Sequence, residues 1–476
     1  MVKVFYVEEV RKIEELTLEH KQITNKELMY QAGYVLAKDF LSRMMPNVTD
    51  EILVIANTGN NGGDALVVFQ ELKKLGYNAK LYIVGNKEKM TDSFKYYYDN
   101  LETKVENKSY NQWLKEIKNA KFIIEGIFGI GLNKDISGDL KLLINDMNKF
   151  NKNVYSIDIP SGINADTGEV MSVAVKAKFT GVLGVLKLGN LLNDALDYHG
   201  ELKVLDIGLL EGYSDIYYLD YKDIDVSRIR LHNSHKYTYG KNAFIGSSNM
   251  PGAINLSAMA ALRSGLGLAE VFYDEDIYRH NLEIIYKKLN KDQDFSSYDV
   301  IVFGPGLTEE KDIYKESFDK IEKSSKKIVL DAGGIKYLNL KQKHKNLLIT
   351  PHLNELSQLL KVERDLIKKN PVHYLRDLAN KGIITLLKGP TTIIQEQRYT
   401  YLLQAKNTGL ATAGSGDVLA GIISAFLVDE TMINATVKAF TTHAKAADYA
   451  RKRRSEVSLI ASDIIDNLYK VWLNKR

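Results

Sequence analysis

Twice along this chain, short apolar β-type runs alternate with helix-length segments, and that alternation restricts each half to a parallel sheet covered by helices. In the first half the strand-like runs are 51–56 (EILVIA), 79–84, 122–125 and 154–157. Helical periodicity covers 7–20 and 26–41, and a third helix runs through Leu66, Val67, Leu72 and Leu75 until Gly76 closes it. In the second half the strand-like runs are 242–246, 268–273, 300–304, 327–331, 347–350 and 384–387. Between the halves, EGYSDIYYLDYKDIDVSRIR is acidic and tyrosine-rich without a clear period, and reads as a connection. The expectation is an α/β protein of two doubly wound domains, 1–212 and 228–476, joined by a linker at 213–227.

A chain of 476 residues is long enough for two cores. Its net charge of +4 is small for that length, so no strongly basic surface asks for a nucleic acid. It has no cysteine, which excludes disulfides, thiolate metal sites and a cysteine nucleophile, and suits a reducing cytoplasm. The start, MVKVFYVEEVRKIEE, is not a secretory signal, and the longest apolar run, 419–428, is too short to span a membrane.

One stretch carries chemistry by itself. In NTGLATAGSGDVLAGIISAF (407–426), Val418, Leu419, Ile422, Ile423 and Phe426 give one apolar helical face, so a helix starts near Ser415 to Asp417. Its first turn has free N–H groups, and Gly414 and Gly416 let an anion approach them. A carboxylate beside a bound phosphate is out of place unless it moves a proton, which makes Asp417 a candidate general base for a hydroxyl attacking a phosphoryl group. The alternative is a helix-start acid favoured by the dipole.

Three polar, glycine-bearing segments fall at strand ends in the first half, where ligands of open sheets bind. They are Asn60-Asn61-Gly62-Gly63-Asp64, then Glu125 to Asp135 (EGIFGIGLNKD), then Asp158 to Ile163 (DIPSGI). Each alone is a common turn; together they outline a pocket, with Asp158 a candidate acid/base. The HNSH of His232 and His235 has no further ligands at metal spacing and reads as loop. The basic run 451–454 reads as a solvated helix face.

NTGNNGGD, FGIGLN and DIPSGINADTG resemble, in order, the motifs of the YjeF N-terminal domain, the NAD(P)H-hydrate epimerase. HKYTYGKNAFIGSSNMPGAINLSAMAALRSG, FGPGL, LDAGGI, TPHLNEL, LLKGPTT and the 407–426 run resemble the ribokinase-like ADP- or ATP-dependent NAD(P)H-hydrate dehydratases. For the first half the resemblance implies a hydrated-nicotinamide site from Asn60, Asn61, Gly62, Gly63, Asp64, Gly129, Ile130, Gly131, Leu132, Asn133, Lys134, Asp135 and Asp158. It also implies a K+ ion on Asn61, Glu125 and Ser161, oxygen donors suited to a hard cation. For the second half it implies a hydrated-dinucleotide site at Ala253, Gly306, His352 and Asp417. The nucleotide phosphates would lie on Lys388, Gly389, Pro390, Thr391 and Thr392. With them go Asn407, Thr408, Gly409, Leu410, Ala411, Thr412, Ala413, Gly414, Ser415 and Gly416, and Mg2+ accompanies ADP or ATP.

The sequence departs from these families at Glu125, where Asp is usual and the extra methylene moves the carboxylate by about 1.5 Å. Gly126 stands where Ala is usual, Gly333 where Asp is usual, and GSSNMPGA lacks a usual glycine and aromatic. The implied activity is repair of hydrated NADH or NADPH by epimerisation and nucleotide-driven dehydration, in a cytoplasmic homo-oligomer without nucleic-acid or membrane partners. The rival is a ribokinase-like small-molecule kinase whose first half is a non-catalytic binding module.

Overall fold

The computed structural model describes residues 1–102, 110–150, 153–275 and 281–473. The chain separates into two compact units, residues 2–216 and residues 217–476, the latter together with Met1.

The inner strands of the first unit's sheet are buried on both faces, as continuous apolar runs such as ILVIA require, while the edge strand Glu201–Leu205 is largely exposed. In chain order they are Ile52–Ala56 (β1), Ala79–Ile83 (β2), Phe122–Gly126 (β3), Val154–Ile157 (β4), Phe179–Leu183 (β5) and Glu201–Leu205 (β6). They lie in the order β2-β1-β3-β4-β5-β6, every pair parallel. The order reverses between β1 and β3, and a crevice opens at such a switch point. One apolar layer, including Phe40, Leu66, Val67 and Tyr155, covers one face, and another, including Ile123, Ile144 and Met147, covers the other.

The second unit repeats the principle with strands Lys241–Ile245 (β7), Leu268–Tyr273 (β8), Ile285–Lys288 (β9), Val300–Phe303 (β10), Lys327–Leu330 (β11), Leu347–Ile349 (β12), Ile383–Leu387 (β13), Thr392–Glu396 (β14) and Tyr399–Leu403 (β15). Their order is β9-β8-β7-β10-β11-β12-β13-β14-β15. The strands are parallel as far as β13, and β14 and β15 run antiparallel. The switch point here lies between β7 and β10. Helix Ser415–Phe426 packs on helix Pro251–Arg263 closely enough that a β-carbon at Gly421 would lie 2.0 Å from the Ser257 carbonyl oxygen.

The α/β doubly wound expectation holds in both units. Three local expectations do not. Asn60 to Asp64 is not a loop but the first turn of helix Asn60–Lys74, because Gly62 lets that turn sit on the Asn57 carbonyl; a β-carbon there would be 1.6 Å away. Most of the expected linker is folded into the second unit. Val226 is buried, and Tyr221, also buried, donates its hydroxyl to Asp448 at 2.5 Å. The hairpin β14–β15, which Thr392 begins, escapes a reading of parallel units.

Candidate active sites

In the first unit a cavity of about 610 Å3 opens at the β1/β3 switch point, a volume suited to a small-molecule ligand. Of the residues expected there, Asn60, Asn61, Asp64, Gly129, Ile130, Gly131, Leu132 and Asp158 line it. Asn133, Lys134 and Asp135 line an adjoining depression of about 350 Å3. Gly62 and Gly63 line neither; they are buried under the helix start, Gly63 against Met29.

Asp158 follows β4 in a left-handed conformation, φ 66°, which a non-glycine residue adopts only when its surroundings compel it. The compulsion is visible: its Oδ1 accepts the Leu183 N–H at 2.9 Å and is ion-paired to the buried Lys187 ammonium, which also donates to the Leu183 carbonyl at 3.0 Å. Two more carboxyls share this cavity. Burial, then the charge of Asp158, pushes Glu14 up to about 6. Burial, then Asp158 and Glu14, holds Asp64 well above the usual carboxylate range. The cavity thus sets a proton-holding acid near a lysine-paired carboxylate, the division of labour acid/base chemistry needs. Sequence reasoning missed Lys187 and Glu14. Lysine in the short apolar run LGVLKLG was the available signal for the first.

Glu125 is fully buried at the end of β3, and burial pushes it up to about 7 against the pull of its donors. Its Oε1 accepts from Ser156 Oγ (2.6 Å) and Ser161 N (3.0 Å), and its Oε2 from Ser161 Oγ (2.5 Å) and Ile127 N (3.3 Å). Asn61 packs its side chain toward Gly129 instead, where a β-carbon would lie 3.2 Å from it, and its Nδ2 is buried without a hydrogen-bond partner among the described residues. Asn61, Glu125 and Ser161 therefore do not fit the expected K+ ion: both carboxylate oxygens are taken up by four donors, and the Asn61 side chain is turned to Gly129.

In the second unit, helix Ser415–Phe426 begins where the sequence placed it, behind Gly414 at φ 85°. Asp417 lies in its first turn, half-buried, and burial, then the Asp331 charge, pushes it up to about 7. Lys388 directly follows β13, opening the turn, and pairs with Asp331 at 2.7 Å, with Thr350 donating to the same oxygen at 2.7 Å. Burial works against the lysine's charge, but Asp331, Glu355 and Asp417 outweigh it and raise its pKa. Its ammonium would be 3.2 Å from a β-carbon at Gly416, so the cation and the bare helix start face one space. Ser415 is buried beside His443, their Oγ and Nε2 3.3 Å apart; burial pushes that imidazole down to about 4 and keeps it neutral.

The segment 407–416 is held by its own backbone. Asn407 caps the short turn Thr408–Leu410 by accepting the Gly409 N–H at 3.1 Å, and its Nδ2 is buried without a partner among the described residues. Thr408 donates to Glu456 at 2.5 Å, and the Ser415 N–H reaches the Thr412 carbonyl at 3.3 Å, while Leu410, Ala411 and Ala413 fill the turns between. Gly389 and Pro390 form the turn into Thr391 and Thr392, whose hydroxyls meet Gln404 Nε2 (3.0 Å) and the Gly389 carbonyl (3.5 Å). Ala253 and Gly306 meet at the β7/β10 switch point, a β-carbon at Gly306 lying 3.4 Å from that of Ala253. Gly333 has no room for the family's aspartate: a β-carbon there would be 1.8 Å from the Leu307 carbonyl oxygen. His352 is bridged to Lys388 but spends its side chain as a helix cap, Nδ1 accepting the Glu355 N–H at 3.1 Å.

Both units match family models, one described as YjeF-related protein N-terminus over residues 25–189 and one as NAD(P)H-hydrate dehydratase over residues 243–470. A bifunctional NAD(P)H-hydrate repair enzyme of Dictyoglomus turgidum is 32% identical over 98% of this chain and 97% of its own length. The chain belongs to the bifunctional NAD(P)H-hydrate repair enzyme family. The resemblance read from the motifs is thereby met. The Escherichia coli member is 27% identical over 98% of this chain and 93% of its own. Among solved structures, the ADP/ATP-dependent NAD(P)H-hydrate dehydratase of Bacillus subtilis, co-crystallized with ATP/Mg2+, is 27% identical over 51% of this chain and 92% of that one, with a TM-score of 0.46. Relatives of this repair family span both units, which leaves the rival of a small-molecule kinase with an inert first half without support.

Proposed function

We propose that this chain repairs hydrated NADH and NADPH, its first unit interconverting the R and S epimers and its second dehydrating the S form at the expense of ADP or ATP. The observation that carries the reading is Asp417. It is an acid pushed up to about 7, set in a bare helix start whose space the half-buried Lys388 shares, both suited to phosphate.

Hydroxide is a poor leaving group and phosphate a good one. Asp417 takes the proton from the hydrate's hydroxyl as its oxygen attacks the terminal phosphorus of the nucleotide, and the nucleotide leaves one phosphate shorter. The phosphate ester then departs as the neighbouring carbon loses a proton, restoring the ring double bond. Lys388 and the N–H groups of Gly414 and Gly416 take the phosphate charge, with the turns at 388–392 and 407–413 framing the nucleotide. Ala253, Gly306 and His352 border the dinucleotide. Among the described residues no three carboxylates or imidazoles cluster as metal ligands, so a Mg2+ ion would arrive held by the nucleotide's own phosphates and offset their charge there.

In the first unit Asp158 takes the hydroxyl proton of the hydrated carbon. The carbon–nitrogen bond opens to aldehyde and amine, and reclosure on the other face gives the other epimer. Asp64 holds a proton for the nitrogen, and Lys187 positions Asp158. Among the described residues no helix is long and apolar enough to cross a membrane. A cytoplasmic homo-oligomer is the setting we propose. Incubating an R/S hydrate mixture with ADP or ATP, and following both epimers, tests the assignment. A stable phosphorylated product in place of restored reduced-nicotinamide absorbance would contradict it.

A further inference from the structure

We infer that Glu125, with Ser156 and Ser161, forms an internal hydrogen-bonded closure in the place where an alkali cation would otherwise join two loops of the first site, so that this site is built without an ion. The acceptor count carries the inference. An ionised carboxyl offers roughly four lone-pair positions, and here each meets a donor: Ser156 Oγ and Ser161 N on one oxygen, Ser161 Oγ and Ile127 N on the other.

The sign of the surroundings agrees. Two of those donors are backbone N–H groups from the very loops an ion would bridge, and they present the positive ends of their dipoles to the carboxylate. A cation there would face those N–H dipoles at hydrogen-bond range, and the nearby oxygens are already engaged: both serine hydroxyls point to Glu125, and the Phe128 carbonyl lies 3.1 Å from Ser161 Oγ. The closure is also mechanically complete. Phe128 N–H donates to Ser161 Oγ at 2.7 Å, so 127–128 and 158–163 are tied through one hydroxyl to one carboxyl. The bare Gly126 beside it completes the fit, since a β-carbon there would lie 2.5 Å from the Asn61 carbonyl oxygen.

Glu125 touches no substrate. Acting through Ser161, it positions the turn that carries Asp158. An aspartate at 125 is one methylene too short to reach both Ser156 Oγ and the Ser161 N–H, and would reopen oxygen-lined space for an ion.

The test uses the full chain and ions as probes. Thermal unfolding is compared in KCl, NaCl and choline chloride at equal ionic strength, and crystals are grown with Tl+ as a heavy stand-in for K+. The wild type should show no K+-specific rise in Tm and no anomalous peak within ligand distance of Glu125 and Ser161. E125D should gain both, and its epimerisation should run at least about tenfold faster in K+ than in choline. A Tl+ peak on Glu125 in the wild type, with a saturable K+-specific rise in Tm, overturns the inference. So does an E125D chain that is indifferent to K+, since the extra methylene would then fill no ion's place. The wild-type arm needs no variant to fold. It stands apart from the epimerase reading, whose failure would remove the rate comparison alone.

Discussion

Asp417 and Asp158 show how differently two carboxylates can be prepared for similar work. Asp417 is raised to about 7 by burial and by Asp331, so it acts as a base once deprotonated. The sign is definite: kcat/KM for dehydration should rise with pH through about 7 with unit slope, then level off. D417N should lower the rate by about 100- to 10,000-fold while still binding nucleotide, checked by equilibrium dialysis alongside the assay. Asp158 is held by the buried Lys187 and by its own strained backbone. K187M leaves that carboxylate without its cation and should cost about 3–5 kcal/mol in denaturant unfolding. D158N/K187M should recover part of this loss; a double variant no better than the single one would mean that the pair carries no such coupling. Asp158 was visible in the sequence because DIPSG ends a strand. Lys187 was not, because nothing in a lone lysine shows that β5 will bring it back to β4.

At the scale of elements, both sites rest on helix starts pressed against strand ends through glycine. Gly421 gives a clean opposition of effects. Alanine in a helix interior normally stabilises by about 1 kcal/mol over glycine. Here its β-carbon would meet the Ser257 carbonyl at 2.0 Å. Overpacking should win, so G421A is expected to destabilise by about 1–3 kcal/mol, read from the shift in urea midpoint. A stabilised variant would contradict the close helix crossing. Helix periodicity after Gly416 and most strand cores were legible because burial on one face, or on both, writes itself into residue spacing. The start of helix Asn60–Lys74 was not, because NNGGD has the composition of a turn and only the Asn57 contact turns it into helix. The hairpin β14–β15 hid for the related reason that TTIIQEQRYTYLL looks like any edge segment until its partner strand is known.

At the scale of the molecule, two α/β units each place a site at the carboxyl ends of their parallel strands, and each site has its own acid/base residue. Their order along the chain was readable from motif order, whereas the boundary was not: the tyrosine-rich stretch looked like a connector, yet Tyr221 and Val226 are core residues of the second unit. Two independent sites imply two separable defects. Supplied with pure R-hydrate and ADP or ATP, the wild type should restore reduced-nicotinamide absorbance in full. The D158N chain should leave the R epimer unconverted beyond its spontaneous rate, and the D417N chain should produce a stable R/S mixture with no dinucleotide regained. Mixing the two variants should restore the whole sequence. Full recovery by either variant alone would contradict the assignment of one step to each unit.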